Sequence, residues 1–169
     1  MSDAEASARA ARTLLERLGA RLPGFSGYLD RELRRELDQL LRAELARRLD
    51  AARSALAAYA KTLGFGDAGL LDRVAGLDRS LDGLANAVRH AGSGYAGAFD
   101  AAKVREAELA ALYRHDLGLV ESVDEAERAA ASLGADADAV ARVERAVAAA
   151  RAGLESRGEA VRRGEGGER

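Results

Sequence analysis

Apolar residues recur along this chain at helical spacing, in five runs. The cleanest is Leu70, Val74, Leu77, Leu81, Leu84, Val88 and Ala91, alternating four and three over three heptads. Such spacing holds one apolar seam along one side of a helix, as in a coiled coil. Ahead of it, Leu33, Leu37, Leu41, Leu45 and Leu49 recur every four and pass into Ala52, Leu56, Tyr59 and Leu63. A third seam reads Leu109, Leu112, Asp116, Leu119, Val123, Ala126, Ala130 and Leu133, with Asp116 its one polar member. Val140, Val143, Val147, Ala150 and Leu154 are heptad-spaced near the end, and Leu14, Leu15, Leu18 and Leu22 form a stripe near the start.

Breakers separate these runs. Ser2 and Glu5 have capping-box spacing and predict the first helix start. Pro23-Gly24 ends that helix, because proline lacks an N–H and disfavours helix in the residue before it. The second helix is predicted over Asp30 to Leu63, roughly 50 Å at 1.5 Å per residue. Gly64 to Gly69 is a turn, Gly92-Ser93-Gly94 ends the third helix, and Gly134-Ala135-Asp136 parts the fourth from the fifth. The predicted fold is all-α: an up-and-down antiparallel bundle of about five helices with coiled-coil-like seams. Short connections make neighbours antiparallel. The two long helices are then parallel to each other, with the third returning between them. One domain is expected over 1–157. From Gly158 the chain reads GEAVRRGEGGER, polar and glycine-rich, which predicts a disordered tail over 158–169.

Two features of the helices carry expectations. Gly76 and Gly83 sit inside the third helix, beside the seam, and close approach of a neighbouring backbone is the expected compensation for their poor helix propensity. Asp30, Arg34, Asp38 and Arg42 form an i,i+4 ladder. With Asp38 and Glu44 interleaved among Arg34, Arg35, Arg42, Arg47 and Arg48, that side of the helix reads as a solvated salt-bridge face rather than a phosphate-binding one.

Composition narrows the class. Of 169 residues, 48% are hydrophobic but only 4% aromatic, so the core is largely leucine and alanine, both strong helix formers. The net charge of −2 lacks the positive excess of a nucleic-acid domain. No run of about 18 apolar residues predicts a membrane span. The acidic start, Met1 to Glu5, has no signal-peptide pattern, and a cytoplasmic location is expected. There is no cysteine, hence no disulfide, thiol nucleophile or thiolate metal site. Neither His90 nor His115 has a glutamate three residues before it, so the di-iron pattern is missing, and phosphate-loop and dinucleotide motifs are absent.

One phrase occurs twice, seventy residues apart: Gly24-Phe25-Ser26-Gly27-Tyr28-Leu29-Asp30 and Gly94-Tyr95-Ala96-Gly97-Ala98-Phe99-Asp100. Each stands before a long helix. The aspartates suit N-caps, accepting orphan amide bonds, and the aromatics suit a plug over the bundle end. As a recognition surface, Phe25, Tyr28, Tyr95 and Phe99 are the candidate partner-binding residues. As a weaker ligand site, Asp30, Asp100, His90 and Lys103 would converge, a thin set for a transition metal. His115 and Asp116 are adjacent on a helix and point about 100° apart, so a catalytic dyad is disfavoured. Asp116 is expected to bond to Asn86, Arg79 or Ser80 on the third helix.

The stretch from Pro23 to about Leu117, through LPGFSGYLDRELRRELDQLLR and GYAGAFDAAKVREAELAALYRHD, resembles an uncharacterised prokaryotic family of small helical proteins with a glycine–aromatic turn before each of two long helices. The resemblance implies the same architecture and no activity, cofactor or site residue. The expected function is therefore a non-enzymatic protein-interaction or assembly module, without catalytic residues or cofactors. It binds a protein partner or itself, and no nucleic acid. The alternatives are a peripheral membrane-associated protein, disfavoured by charge, and a ligand- or metal-binding bundle using Asp30, Asp100 and His90.

Overall fold

The computed structural model describes residues 3–21, 31–91 and 106–166. They form five α-helices: α1 (Asp3–Gly19), α2 (Arg31–Ala60), α3 (Ala68–His90), α4 (Glu106–Ala131) and α5 (Ala139–Gly166). Among the described residues there is no strand. The fold class is all-α, and the helices pack as a bundle.

The turns close by local chemistry. At the end of α2, the amides of Thr62 and Leu63 donate to the carbonyls of Tyr59 and Ala60 at 2.9 and 3.3 Å. Such i→i−3 bonds use up orphan carbonyls of the last turn. The Gly64 amide donates to Asp67 Oδ2 at 2.9 Å, and the Asp67 amide to the Gly64 carbonyl at 3.0 Å. These two bonds shape a 3₁₀ turn over Phe65–Asp67 that leads directly into α3. Between α4 and α5, Gly134 has φ 84°, where a side chain would be strained, and the Tyr59 ring packs against it. Asp136 Oδ1 then accepts from the Asp138 amide at 2.8 Å just before α5 starts.

Side-chain pairs fix the sense of each helix pair. Arg53 of α2 reaches Asp78 and Asp82 of α3 at 3.0 and 2.6 Å, while Asp50 accepts from Arg89, so α2 and α3 run in opposite senses. Between α4 and α5, His115 meets Ser156 at 3.0 Å, and Arg142 donates to the Ser132 hydroxyl at 2.9 Å, again antiparallel. Arg48 pairs with Asp124, and Tyr59 stands at Gly134, so α2 and α4 are parallel, as the short connections predict.

One expectation is corrected: α3 does not lie between α2 and α4. The helices form a ring in the order α2, α3, α5, α4, in which α2 packs directly on α4, and α1 lies against α4 from outside. The reason is the width of the buried faces. Besides its seam, α4 buries Tyr113, Leu117, Val120 and Ala129, enough to serve three neighbours. α3 buries little beyond the seam itself (Val74, Leu77, Leu81, Leu84 and Val88, plus Ala85), packs on α2 and touches α5 lightly.

The helical glycines also differ from expectation. A side chain at Gly76 would meet only the Arg79 guanidinium at 3.8 Å, and one at Gly83 only that of Arg151 at 3.9 Å. No neighbouring helix backbone approaches either one. Gly83→Ala should therefore raise stability by about 1 kcal/mol in urea unfolding, the helix-propensity difference alone. A loss of stability would show that something does pack there. At the C-terminus, α5 does not stop at Gly158 but continues helical through Gly166, where a disordered tail is expected from composition.

Candidate functional site

The residues expected to form a partner or ligand site are mostly beyond reach. Phe25, Tyr28, Asp30, Tyr95, Phe99, Asp100 and Lys103 lie outside the described residues. His90 is the last residue of α3 and is exposed. Among the described residues, no group of three or more His, Asp or Glu converges as a metal site, and no helix is long and apolar enough to cross a membrane.

Two other features stand out. The first is a buried ionic cluster at the end of the bundle where α2 and α4 begin. Asp38 of α2, Asp116 of α4 and Arg157 of α5 are 4%, 2% and 5% exposed, charged groups within an otherwise apolar core. Arg157 forks between the two carboxylates: Nη2 donates to Asp38 Oδ1 at 2.7 Å and Nε to Asp116 Oδ1. The other Asp38 oxygen takes Arg42 Nη2 at 2.5 Å, and Arg42 Nε donates to the Asp38 carbonyl at 3.3 Å. Two carboxylates thus face two guanidinium groups. Beside it, His115 Nδ1 and Ser156 Oγ are 3.0 Å apart.

This corrects two readings. Asp116 pairs with Arg157 on α5 rather than with Asn86, Arg79 or Ser80 on α3. Asp38, expected on a solvated ladder, is buried, and its guanidinium partners keep it so at tolerable cost, since a buried charge must be paired and hydrogen-bonded. His115 and Asp116 bond to different partners and form no dyad. Every buried side-chain nitrogen and oxygen among the described residues has a hydrogen-bond partner. A carboxylate so fully engaged is a structural tie, not a poised base.

Away from this end, the ion pairs expected on α2 are present in part, but Glu44 and Arg48 are largely buried against α4 rather than solvated, and the side chains of Arg34 and Arg35 lie outside the described residues. Glu44 accepts from Arg47 and Arg48 at 2.8 and 2.6 Å, and Arg48 also reaches Asp124 on α4. The Arg47 hydrogen bond chiefly holds the Glu44 carboxyl at a pKa of about 2, against an opposing effect of burial and with further help from Arg48. Arg21, past the end of α1, joins Asp124 at 3.2 Å, so this network ties three elements together.

The second feature is Phe65. It is fully exposed, at 108%, on the short turn between α2 and α3, flanked by Gly64 and Gly66. It is the one large hydrophobic residue so exposed among the described residues. Its turn lies at the bundle end opposite the ionic cluster, together with Gly134. The α3–α5 side carries an open groove of about 540 Å³, floored by Leu77 and Val147. Arg73–Glu144 at 2.9 Å and the Arg151 bond to the Ser80 carbonyl at 3.2 Å tie the two helices along this side.

These features define a helical bundle with a charged clasp in its core and a hydrophobic tip at one end. No protein-family model matches the chain, and no curated protein or solved structure shows detectable similarity to it. The resemblance of residues 23–117 therefore brings no family assignment and no residue roles.

Proposed function

We propose that this chain is a non-enzymatic, cytoplasmic protein-interaction or assembly module. The observation that carries this reading is Phe65. The other large apolar side chains described are buried or half-buried, whereas this one projects into water from a turn that two hydrogen bonds hold in shape. A rigidly presented aromatic costs little entropy to bind, and large aromatic side chains dominate interface energetics. The fully paired carboxylates of the core offer nothing comparable for catalysis.

Replacing Phe65 tests this without disturbing the core. Phe65→Ser should leave the urea midpoint unchanged, because the side chain buries no area. Size-exclusion with light scattering on wild type and variant then reads self-association, and pull-down from lysate reads other partners. The proposal expects at least one of the two to be lost in the variant. Identical mass and an identical set of bound proteins would count against Phe65 and the reading built on it.

A further inference from the structure

We propose that the end of α5, residues 155–166, is a latch that releases from the bundle as a unit while the rest stays folded, with the Asp38–Arg157–Asp116 cluster as its clasp. The inference goes beyond the interaction reading and does not depend on it. Up to Ala150, α5 is held by buried apolar residues: Val140, Val143, Val147 and Ala150. Leu154 is half-buried, and the next seam position is Arg157. From there on, the chain holds Gly158, Gly164 and Gly166, and Val161 is the one apolar residue at seam spacing. Helix propensity along this stretch is poor.

The clasp differs physically from an apolar seam. Burying leucine is favourable in itself, so undocking it always costs. Burying an ion cluster is close to break-even, because the attraction among the charges is offset by their lost hydration. When the end of α5 lifts away, Arg157, Asp38 and Asp116 all regain water together, and the Ser156–His115 contact exchanges for water bonds. The price of opening is therefore small compared with undocking any other stretch of α5. Open, the bundle shows Asp116 and the Asp38–Arg42 pair at the mouth of the apolar seam between α2 and α4. The segment is helical, yet its attachment belongs to the low-stability end of the local unfolding spectrum.

Native-state hydrogen exchange on the full chain tests this. The informative amides are 155–161, at least five residues from the helix end and so outside ordinary end fraying. They should exchange about 100-fold or more faster than the amides of 143–153, with little dependence on sub-denaturing urea, the mark of a small opening. In the variant Asp38→Leu/Asp116→Leu/Arg157→Met, exchange at 155–161 should slow to within about tenfold of 143–153, because an apolar clasp must be undocked at full cost. If 155–161 and 143–153 exchange together in wild type with the same urea dependence, there is no latch. If the folded variant keeps its fast exchange, the cluster is not the clasp. The wild-type measurement decides the first point even if the triple variant fails to fold.

Discussion

Arg157→Ala should lower the unfolding free energy by about 3 kcal/mol, measured by urea unfolding with helical circular dichroism. Removing one partner of a buried ion cluster typically costs about 3–5 kcal/mol, because the remaining charges stay buried without compensation. Here Asp38 and Asp116 would both lose the guanidinium that forks between them. The lower end of the range applies for a specific reason. Lifting the end of α5 hydrates both carboxylates, so the loss cannot exceed the work of that release. The variant should also show a smaller urea dependence, since part of α5 is already exposed. Replacing the three buried charges with Asp38→Leu/Asp116→Leu/Arg157→Met, with the part-exposed Arg42 turning to water, should be neutral or stabilising by about 1–4 kcal/mol. A loss below about 0.5 kcal/mol for Arg157→Ala, within the range of ordinary surface changes, would mean that the cluster is not buried in solution.

Leu56→Ala should cost more, about 4–5 kcal/mol, near the top of the range for a buried leucine. Leu56 is fully buried on α2. In the register set by Arg48 with Asp124 and Tyr59 with Gly134, it stands level with the stretch of α4 that carries Ala126, Ala129 and Ala130. These short side chains have no reach, so they cannot swing into the space a leucine leaves. Where neighbours cannot collapse, the cavity term is paid in full. Leu63→Ala is the control: Leu63 is half-buried beyond the end of α2, and its loss should be well under half as large. Equal losses at the two positions would contradict the packing described.

Heptad spacing made most of this core legible. In α3 every interior seam position, from Val74 to Val88, is buried, because a strict four–three alternation admits one inward face. The α2 stripe was harder to read. Leucines every four residues drift about 40° per step around a helix of 3.6 residues per turn. Such a stripe leaves open which side Asp38 faces, and its i,i+4 partners made the solvated reading natural. Counting seven back from Leu45 finds Asp38, and counting three on from Leu154 finds Arg157. Both charges sit at seam positions, and that was the available signal. The glycine-rich composition after Leu154 hid it by suggesting that the helix had ended. Asp116 was visible as the polar member of its seam, but its partner was not, because partner choice depends on the ring order of the helices. The repeated phrases imply an offset of seventy residues between α2 and α4, whereas Arg48 and Asp124 are 76 apart. The partner-site residues proposed on those phrases lie outside the described residues. Phe65 was visible only as part of a turn, since nothing local tells an exposed aromatic from one folded inward.

The ring order has a kinetic consequence. Each of the pairs α2–α3 and α4–α5 is a hairpin closed by a turn of a few residues, so each forms at little loop-closure cost. The bonds from Arg157 to Asp38 and from Arg48 to Asp124 join positions 119 and 76 residues apart. They wait until two preformed hairpins meet side by side. Contacts so distant in sequence are late contacts on the folding path. The ionic clasp, made only after the hairpins have met, therefore has little influence on how fast the chain folds. Its loss should appear almost wholly on the unfolding limb of a chevron plot.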